Sequence, residues 1–227
     1  MHTIFFDIDG TLLHSGGAGQ AGIERALEIA FGITAPTDGI PTAGRTDRAI
    51  AADLMRYHGI SETEAAHSQL WQAYLSVLPE ELAQRNGIVY PGVRELLSQL
   101  SHRKDVRLGL LTGNYREAAW LKLRQHQLAE YFRSAFGGYG DEHSNRDDVA
   151  RQALVDAQSR AAPDEIDSAK LWVIGDTPAD VQCGRAIGAR VIAVATGMHS
   201  REQLTPTEPD HLFDHFGDVA AVLSVWS

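Results

Sequence analysis

The sequence predicts an α/β protein in which a doubly wound, Rossmann-like parallel sheet is interrupted by a small all-helical insertion. An apolar strand pattern opens the chain at residues 3–8, and strand and helix patterns alternate after Tyr90. Between these parts, from Ser15 to about Arg85, the periodicity is helical only. Several strand patterns are apolar throughout, which is typical of parallel strands covered by helices on both faces.

The change in pattern divides the chain into two predicted domains. Residues 1–14 and 88–227 are assigned to the α/β core, and residues 15–87 to the helical insertion. The insertion begins with AGQAGIERALEIAF, where Ile23, Leu27 and Phe31 share one helix face. A second helix is predicted around TDRAIAADLMRYHG, and a third begins at Ser61, where Glu64 three residues later indicates a capping box.

The core elements follow in a regular order after the insertion. The patterns predict a helix from Pro91 to about His102, a strand over 106–112, a helix from Tyr115, a short strand near 134–136, a helix over 147–158, a strand over 171–176, a helix from Pro178, a strand over 190–196, and a final strand and helix in HLFD and DVAAVL. This alternation is typical of parallel sheets built from crossover connections.

Composition narrows the classes of function. Hydrophobic residues make up 44% and charged residues 22%, and the formal net charge of -10 argues against a nucleic-acid surface. The single cysteine, Cys183, allows no internal disulfide, which fits a reducing compartment. No signal-peptide pattern and no apolar run long enough for a membrane span are seen, so a cytoplasmic location is expected. A monomer and a homodimer are equally compatible with the sequence.

Three polar motifs follow predicted strands. They are DIDGT at 7–11, LTGN at 111–114 and GDTPAD at 175–180. In open α/β sheets, ligands bind beyond the carboxyl ends of the strands. The motifs should therefore meet in one crevice that contains Asp7, Asp9, Thr112, Asp176 and Asp180.

Several carboxylates in one crevice indicate a cation. Two like charges ~4 Å apart repel by about 4 kcal/mol at an effective dielectric constant of ~20. An all-oxygen cluster with few protein ligands suits Mg²⁺, which keeps several waters and shares its coordination with a phosphate. The sequence thus predicts a site for Mg²⁺ and a phosphate group.

DIDGT, the strand-end Thr112 and GDTPAD, in this order, resemble the signature of the haloacid dehalogenase superfamily in its phosphatase branch. The resemblance of the core covers residues 1–13 and 88–227. The helical insertion is similar to the small C1-type cap of phosphoglycolate phosphatases. The resemblance implies a Mg²⁺-dependent phosphatase that acts on a small phosphorylated metabolite, such as a glycolate-type or sugar-type phosphate.

The resemblance also implies a role for each motif residue. Asp7 matches the nucleophile that forms an aspartyl phosphate, and Asp9 matches the general acid and base. The predicted Mg²⁺ ligands are Asp7, the main-chain carbonyl of Asp9, Asp176 and, directly or through water, Asp180. Thr112 is expected to bind a phosphate oxygen beside the main-chain N–H groups of Gly113 and Asn114.

The family's motif lysine has no obvious match. Only Lys104, Lys122 and Lys170 are present; the first and last precede strands, and Lys122 falls inside a helix. Arg146 stands at the corresponding place, so we predict that it bridges phosphate and Asp7. In AGRTD, Arg45 either reaches a substrate carboxylate, or Thr46 and Asp47 cap the next helix.

Other functions compete with the phosphatase. A phosphomutase of the same superfamily would use the same residues, whereas a 2-haloacid dehalogenase would lack Asp9. A receiver domain is about half as long and lacks DxDGT. A non-catalytic phosphate-binding protein is disfavoured because Asp7, Asp9, Thr112 and Asp176 are all present.

Overall fold

A six-stranded parallel sheet forms the centre of the protein, as seen in a computed structural model that describes residues 1–34, 39–132, 136–161 and 166–226. The sheet consists of β1 (His2–Phe6), β4 (Val106–Leu111), β5 (Gly137–Gly138), β6 (Leu171–Gly175), β7 (Arg190–Val194) and β8 (His211–Phe213). The helices are α1 (Ala18–Phe31), α2 (Asp47–Tyr57), α3 (Glu64–Gln84), α4 (Val93–Ser101), α5 (Arg116–Gln125), α6 (Arg146–Ser159), α7 (Pro178–Ala186), α8 (Arg201–Leu204) and α9 (Val219–Leu223). The predicted fold class is confirmed.

Strand order explains why the three motifs converge. The order is β5-β4-β1-β6-β7-β8, so β1 lies between β4 and β6. Phe6 at the end of β1 is in register with Leu110 and Ile174 on its two neighbours. Because all three strands run parallel, the residues that follow them emerge side by side at one edge of the sheet.

Both faces of the sheet are covered, which accounts for the apolar strand patterns. Phe6 packs on one face with side chains of α4, α5 and α9, whereas Phe5 packs on the other face with α6 and Cys183 of α7. Consecutive strand residues point to opposite faces, so a strand buried on both sides must be apolar at every position.

The insertion contains α1, α2 and α3, which share a core of their own. Leu27, Leu54 and Leu78 are fully buried in it, and Tyr115 and Ala118 near the start of α5 pack against the same cluster. A short antiparallel ladder of β2 (Leu13–His14) and β3 (Ile88–Val89) joins the entry and exit of the insertion. This ladder was not predicted, and its position is consistent with the predicted boundaries at residues 14 and 88; the division into two domains stays a prediction.

One local prediction needs correction, and another lies mostly outside the described residues. The third insertion helix does not begin with a Ser61–Glu64 capping box; Thr63 is the N-cap, and its side chain accepts a hydrogen bond from the Ala66 N–H at 3.1 Å. The nearer hydroxyl competes successfully for the first-turn donors. The short strand expected near 134–136 lies mostly outside the described residues, and β5 is found at Gly137–Gly138.

None of the helices in the described part of the chain is both long and apolar enough to cross a bilayer.

Candidate active site

A cavity of about 440 Å³ lies above the carboxyl ends of β1, β4 and β6. Its lining contains all the predicted site residues except Asp180, which is buried. The lining includes Asp7, Asp9, Arg45, Thr112, Gly113, Asn114, Arg146 and Asp176. The helical insertion supplies the opposite wall through α1 and the loop before α2, so the substrate space is enclosed between core and insertion.

The loop after β1 presents two aspartates in different surroundings. The Asp7 side chain is 11% exposed, and its main-chain N–H donates to the Ile174 carbonyl at 2.9 Å, which continues the β1–β6 ladder. The Asp9 side chain is 39% exposed. Gly10 then turns the chain with φ +86°, and a Cβ there would lie 2.3 Å from Asp176. Only glycine allows both the turn and this close approach.

The loop after β6 buries two further aspartates. Asp176 accepts a hydrogen bond from Thr11 Oγ1 at 2.9 Å. Thr177 is the N-cap of α7 and forms a capping box with Asp180, whose Oδ2 accepts from the Thr177 N–H at 3.0 Å and its hydroxyl at 2.7 Å. Asp180 thus fixes the start of α7 with one oxygen and offers the other to the site.

Arg146 lies where the sequence placed it. It is the first residue of α6, its side chain is 7% exposed, and Nη1 lies 3.6 Å from Asp7 Oδ1. Nη2 pairs with Asp180 Oδ1. Burial alone would lower the pKa of this guanidinium, but Asp180 and Asp7 outweigh it and raise the pKa. The guanidinium therefore stays charged beside the proposed nucleophile.

The carboxylates fit a magnesium ion. Among the described residues, Asp7, Asp176 and Asp180 offer oxygen atoms within 4.8 Å of one another, and all three are buried. Burial, with smaller contributions from Asp180 and Asp9, raises the pKa of Asp7 to about 7 against the opposing effect of Arg146. Burial, Asp180 and Asp7 raise the pKa of Asp176. Hard oxygen donors that repel one another in a compact group suit Mg²⁺.

The loop after β4 forms the other side of the floor. Thr112 Oγ1 accepts from the Asn114 side-chain amide at 2.8 Å and from its main-chain N–H at 3.3 Å. A Cβ at Gly113 would lie 1.9 Å from the Arg45 carbonyl oxygen, so this position admits only glycine. The insertion therefore touches the second motif directly.

Two hydrogen bonds fasten the insertion to this loop. The Asp47 N–H donates to the Gly113 carbonyl at 2.7 Å, and the Tyr115 N–H donates to Asp47 Oδ2 at 2.8 Å. Thr46 caps α2 by accepting from the Ala49 N–H at 3.1 Å. Burial raises the pKa of Asp47 to about 6, although Lys122 and the Tyr115 N–H oppose it.

Arg45 lines the cavity, but its guanidinium is occupied within the insertion. Nη1 pairs with Asp53 at 2.5 Å and donates to the Pro41 carbonyl at 3.2 Å. Contact between Arg45 and a substrate stays a prediction.

Sequence reasoning missed Lys122. Its place inside a helix does not indicate a site residue, yet its side chain is buried and its Nζ lies 2.6 Å from Asp9 Oδ2. The helix α5 starts directly after the second motif, so its second turn returns to the edge of the cavity. A lysine flanked by Leu121 and Leu123 on a helix that begins at a site loop was the available signal.

Comparison with known proteins agrees with this geometry. Residues 4–194 match the family model described as haloacid dehalogenase-like hydrolase. The chain is 26% identical to a phosphoglycolate phosphatase of Aliivibrio fischeri, over 98% of this chain and 96% of the relative. It is 27% identical to a phosphoglycolate phosphatase of Rhodospirillum rubrum, over 95% and 88% of the two chains.

Solved structures show the same fold. CbbY from Rhodobacter sphaeroides, determined in complex with phosphate, superposes with a TM-score of 0.74 at 19% identity over 96% of each chain. A predicted phosphatase from Clostridium acetobutylicum gives a TM-score of 0.71 at 22% identity over 98% of each chain. The protein belongs to the haloacid dehalogenase-like hydrolase family. Within that family it is a phosphatase, as the resemblance of its motifs predicted.

Proposed function

We propose that this phosphatase depends on Mg²⁺ and hydrolyses a small phosphorylated metabolite through an aspartyl phosphate on Asp7. The observation that carries the proposal is the buried group of Asp7, Asp176 and Asp180 with Arg146 beside it, at the sheet edge where Asp9 also lies. Phosphoryl transfer needs positioning and neutralisation of charge, and this group supplies both.

The ligands that would hold Mg²⁺ are Asp7, the main-chain carbonyl of Asp9 and Asp176, with Asp180 acting directly or through a water. When bound, the ion would offset the repulsion between the Asp7 carboxylate and the phosphate dianion. Arg146 contributes a second positive charge on the same side.

The reaction divides between the two aspartates of the first motif. An oxygen of Asp7 attacks phosphorus and the bond to the leaving oxygen breaks, while Asp9 gives its proton to that oxygen. Asp9 then takes a proton from a water that attacks phosphorus. The bond between phosphorus and Asp7 breaks, and inorganic phosphate and the free carboxylate are restored.

The substrate class is inferred from the relatives and the cavity. Glycolate-type and sugar-type phosphates are the candidates, because curated relatives are phosphoglycolate phosphatases and the cavity of about 440 Å³ admits either. The insertion would exclude bulk water above the site.

The test is release of inorganic phosphate from a panel that includes phosphoglycolate, glycerol phosphate and several sugar phosphates. Each is assayed with Mg²⁺, with a chelator, and with the Asp7→Asn variant. We expect release that requires both the metal and Asp7. Conversion of a sugar phosphate into its isomer without release of phosphate would instead favour a phosphomutase, and an inert protein that still binds Mg²⁺ would favour a phosphate-binding role.

A further inference from the structure

Lys122 is a buried cation that the proposed reaction does not yet use. It lies in the middle of α5, and its side chain is 5% exposed although a lysine normally remains in solvent. The other two lysines of the chain, Lys104 and Lys170, are exposed. Burial alone would lower the pKa of Lys122, but Asp9, Tyr74 and Asp47 outweigh it and raise the pKa, so the ammonium is charged.

The ammonium belongs to a closed network around the general acid. Lys122 Nζ donates to Asp9 Oδ2 and to Asn114 Oδ1, both at 2.6 Å. The Asn114 amide nitrogen in turn donates to Asp9 Oδ2 at 2.8 Å and to Thr112 Oγ1 at 2.8 Å. The lysine defines the orientation of the amide, because only the amide oxygen can face an ammonium group.

The Lys122 ammonium and the Asn114 amide both donate to Oδ2 of Asp9. An oxygen that accepts two hydrogen bonds cannot also hold the proton of the carboxylic acid in the same place. The proton of a neutral Asp9 therefore resides on Oδ1, and after transfer the charge left on the carboxylate is stabilised at Oδ2 by the ammonium.

We propose that Lys122, together with Asn114, is a positioning residue that fixes Asp9 so that Oδ1 faces the leaving oxygen of the substrate. The two cations of the cavity then have separate tasks. Arg146 serves the nucleophile Asp7, and Lys122 serves the acid and base Asp9. This inference rests on the proposed function, because it assigns Lys122 a role in the proton transfer of that reaction.

The test compares two leaving groups in Lys122→Met, which keeps an unbranched side chain one atom shorter and removes the charge. An alkyl phosphate requires a proton on its leaving oxygen, whereas p-nitrophenyl phosphate departs as a stable anion. The readout is the rate constant of the first turnover, which reports release of the leaving group, because hydrolysis of the aspartyl phosphate also uses Asp9 and is common to both substrates. We expect this rate constant to fall about 10²-fold for the alkyl phosphate, since general acid catalysis contributes 10²–10⁴-fold. For p-nitrophenyl phosphate we expect it to fall less than about 10-fold, with KM for both within about 3-fold.

Matched variants separate positioning from folding. Arg124→Met removes an exposed cation on the same helix and should leave the reaction rate with either substrate unchanged. Asn114→Ala removes the second donor to Asp9 and should reproduce the selective loss. If Lys122→Met does not fold, the comparison of the two leaving groups is made with Asn114→Ala.

Three results would overturn the inference: an equal fall of the first-turnover rate constant for both substrates, a change confined to KM, or no change. The failure of the proposed function has a different signature, because wild-type protein would then release no phosphate from any substrate. If the wild-type enzyme needs Mg²⁺ and Asp7, and the variants release both leaving groups equally more slowly in the first turnover, then only the role of Lys122 is rejected.

Discussion

The two sides of the cavity floor hold their aspartates in different ways. On the Asp7 side, the carboxylate is 11% exposed and is surrounded by Arg146, Asp176 and Asp180 from the core of the fold. On the Asp9 side, the carboxylate is 39% exposed and is held by Lys122 and Asn114, next to the wall made by the insertion. A nucleophile and metal ligand needs a fixed, dry position, whereas a proton carrier must reach both the leaving group and a water.

The comparison predicts different consequences when each aspartate is neutralised. Asp7→Asn should lower kcat at least ~10⁴-fold for every substrate, because it removes the proposed nucleophile and with it the covalent step. Asp9→Asn should lower kcat strongly for alkyl phosphates. With p-nitrophenyl phosphate, the burst of p-nitrophenolate from the first turnover should persist in this variant. Pre-steady-state release of p-nitrophenolate and steady-state release of phosphate measure these two effects; a first release that persists equally in both variants would contradict the division of roles.

Removal of Arg146 should affect stability as well as activity. Arg146→Met leaves Asp7 and Asp180 buried without their cation, and breaking a buried ion pair costs about 3–5 kcal/mol. For a chain of this size, that corresponds to a fall in Tm of about 10 °C, measured by thermal unfolding. Arg151→Met is the matched control, because Arg151 is exposed on the same helix and its ion pair with Asp148 lies at the surface.

The kcat of Arg146→Met tests whether Arg146 replaces the missing motif lysine in the reaction. We expect Arg146→Met to lower kcat for alkyl and p-nitrophenyl phosphates alike, since the proposed attack by Asp7 is common to both. Full activity in this variant would remove Arg146 from the reaction and leave it a structural role only.

Metal-free protein should lose stability as the pH rises. The usual pKa of an aspartate is 3.8, and burial raises that of Asp7 to about 7. The folded state therefore binds more protons than the unfolded state between about pH 4 and 7, so the free energy of unfolding falls across that range. Tm should be higher at pH 5 than at pH 7.5 in the presence of a chelator.

Magnesium should reverse this loss. Binding at 100-fold excess over Kd adds about 2.7 kcal/mol, or about 5–10 °C in Tm for a chain of this size. We expect that gain at pH 7.5 and a much smaller one at pH 5, where protons compete for the carboxylates. An equal gain at both values of pH would mean that the ion binds elsewhere.

The smallest expected effect concerns Arg45. Its guanidinium pairs with Asp53, and a partly exposed ion pair contributes little to the free energy of unfolding. Arg45→Met should therefore change the ratio of kcat/KM for phosphoglycolate and glycerol phosphate by less than about 3-fold. A selective loss of more than about 10-fold for phosphoglycolate would show that Arg45 leaves Asp53 to bind a substrate carboxylate.

The sequence predicts the Asp7 side of the cavity floor more fully than the side where Lys122 holds Asp9. Asp7, Thr112 and Asp176 follow strands directly, and parallel strands bring such residues together whatever else the chain does. Arg146 was placed correctly because it begins a helix at the same sheet edge. These predictions depend on local patterns and on one rule of topology.

Lys122 lies beyond that kind of reasoning. A lysine inside a helix normally faces solvent, and only the packing of the insertion against α5 makes this face of the helix interior. The contact of Asp47 with Gly113 and Tyr115 depends on the same docking. The flanking Leu121 and Leu123 are the single local sign of this packing, and they do not say what Lys122 contacts, so this part of the site had to come from the structure.

The central claim is that Asp7 carries the phosphoryl group during turnover. Asp9→Asn with p-nitrophenyl phosphate and Mg²⁺ tests it most directly, because formation of the intermediate needs little acid and its hydrolysis needs the base. After acid quenching, peptide mass spectrometry should find one phosphoryl group on Asp7 in stoichiometric amount. Release of p-nitrophenolate with no phosphorylated peptide, or with the phosphoryl group on another residue, would contradict the account.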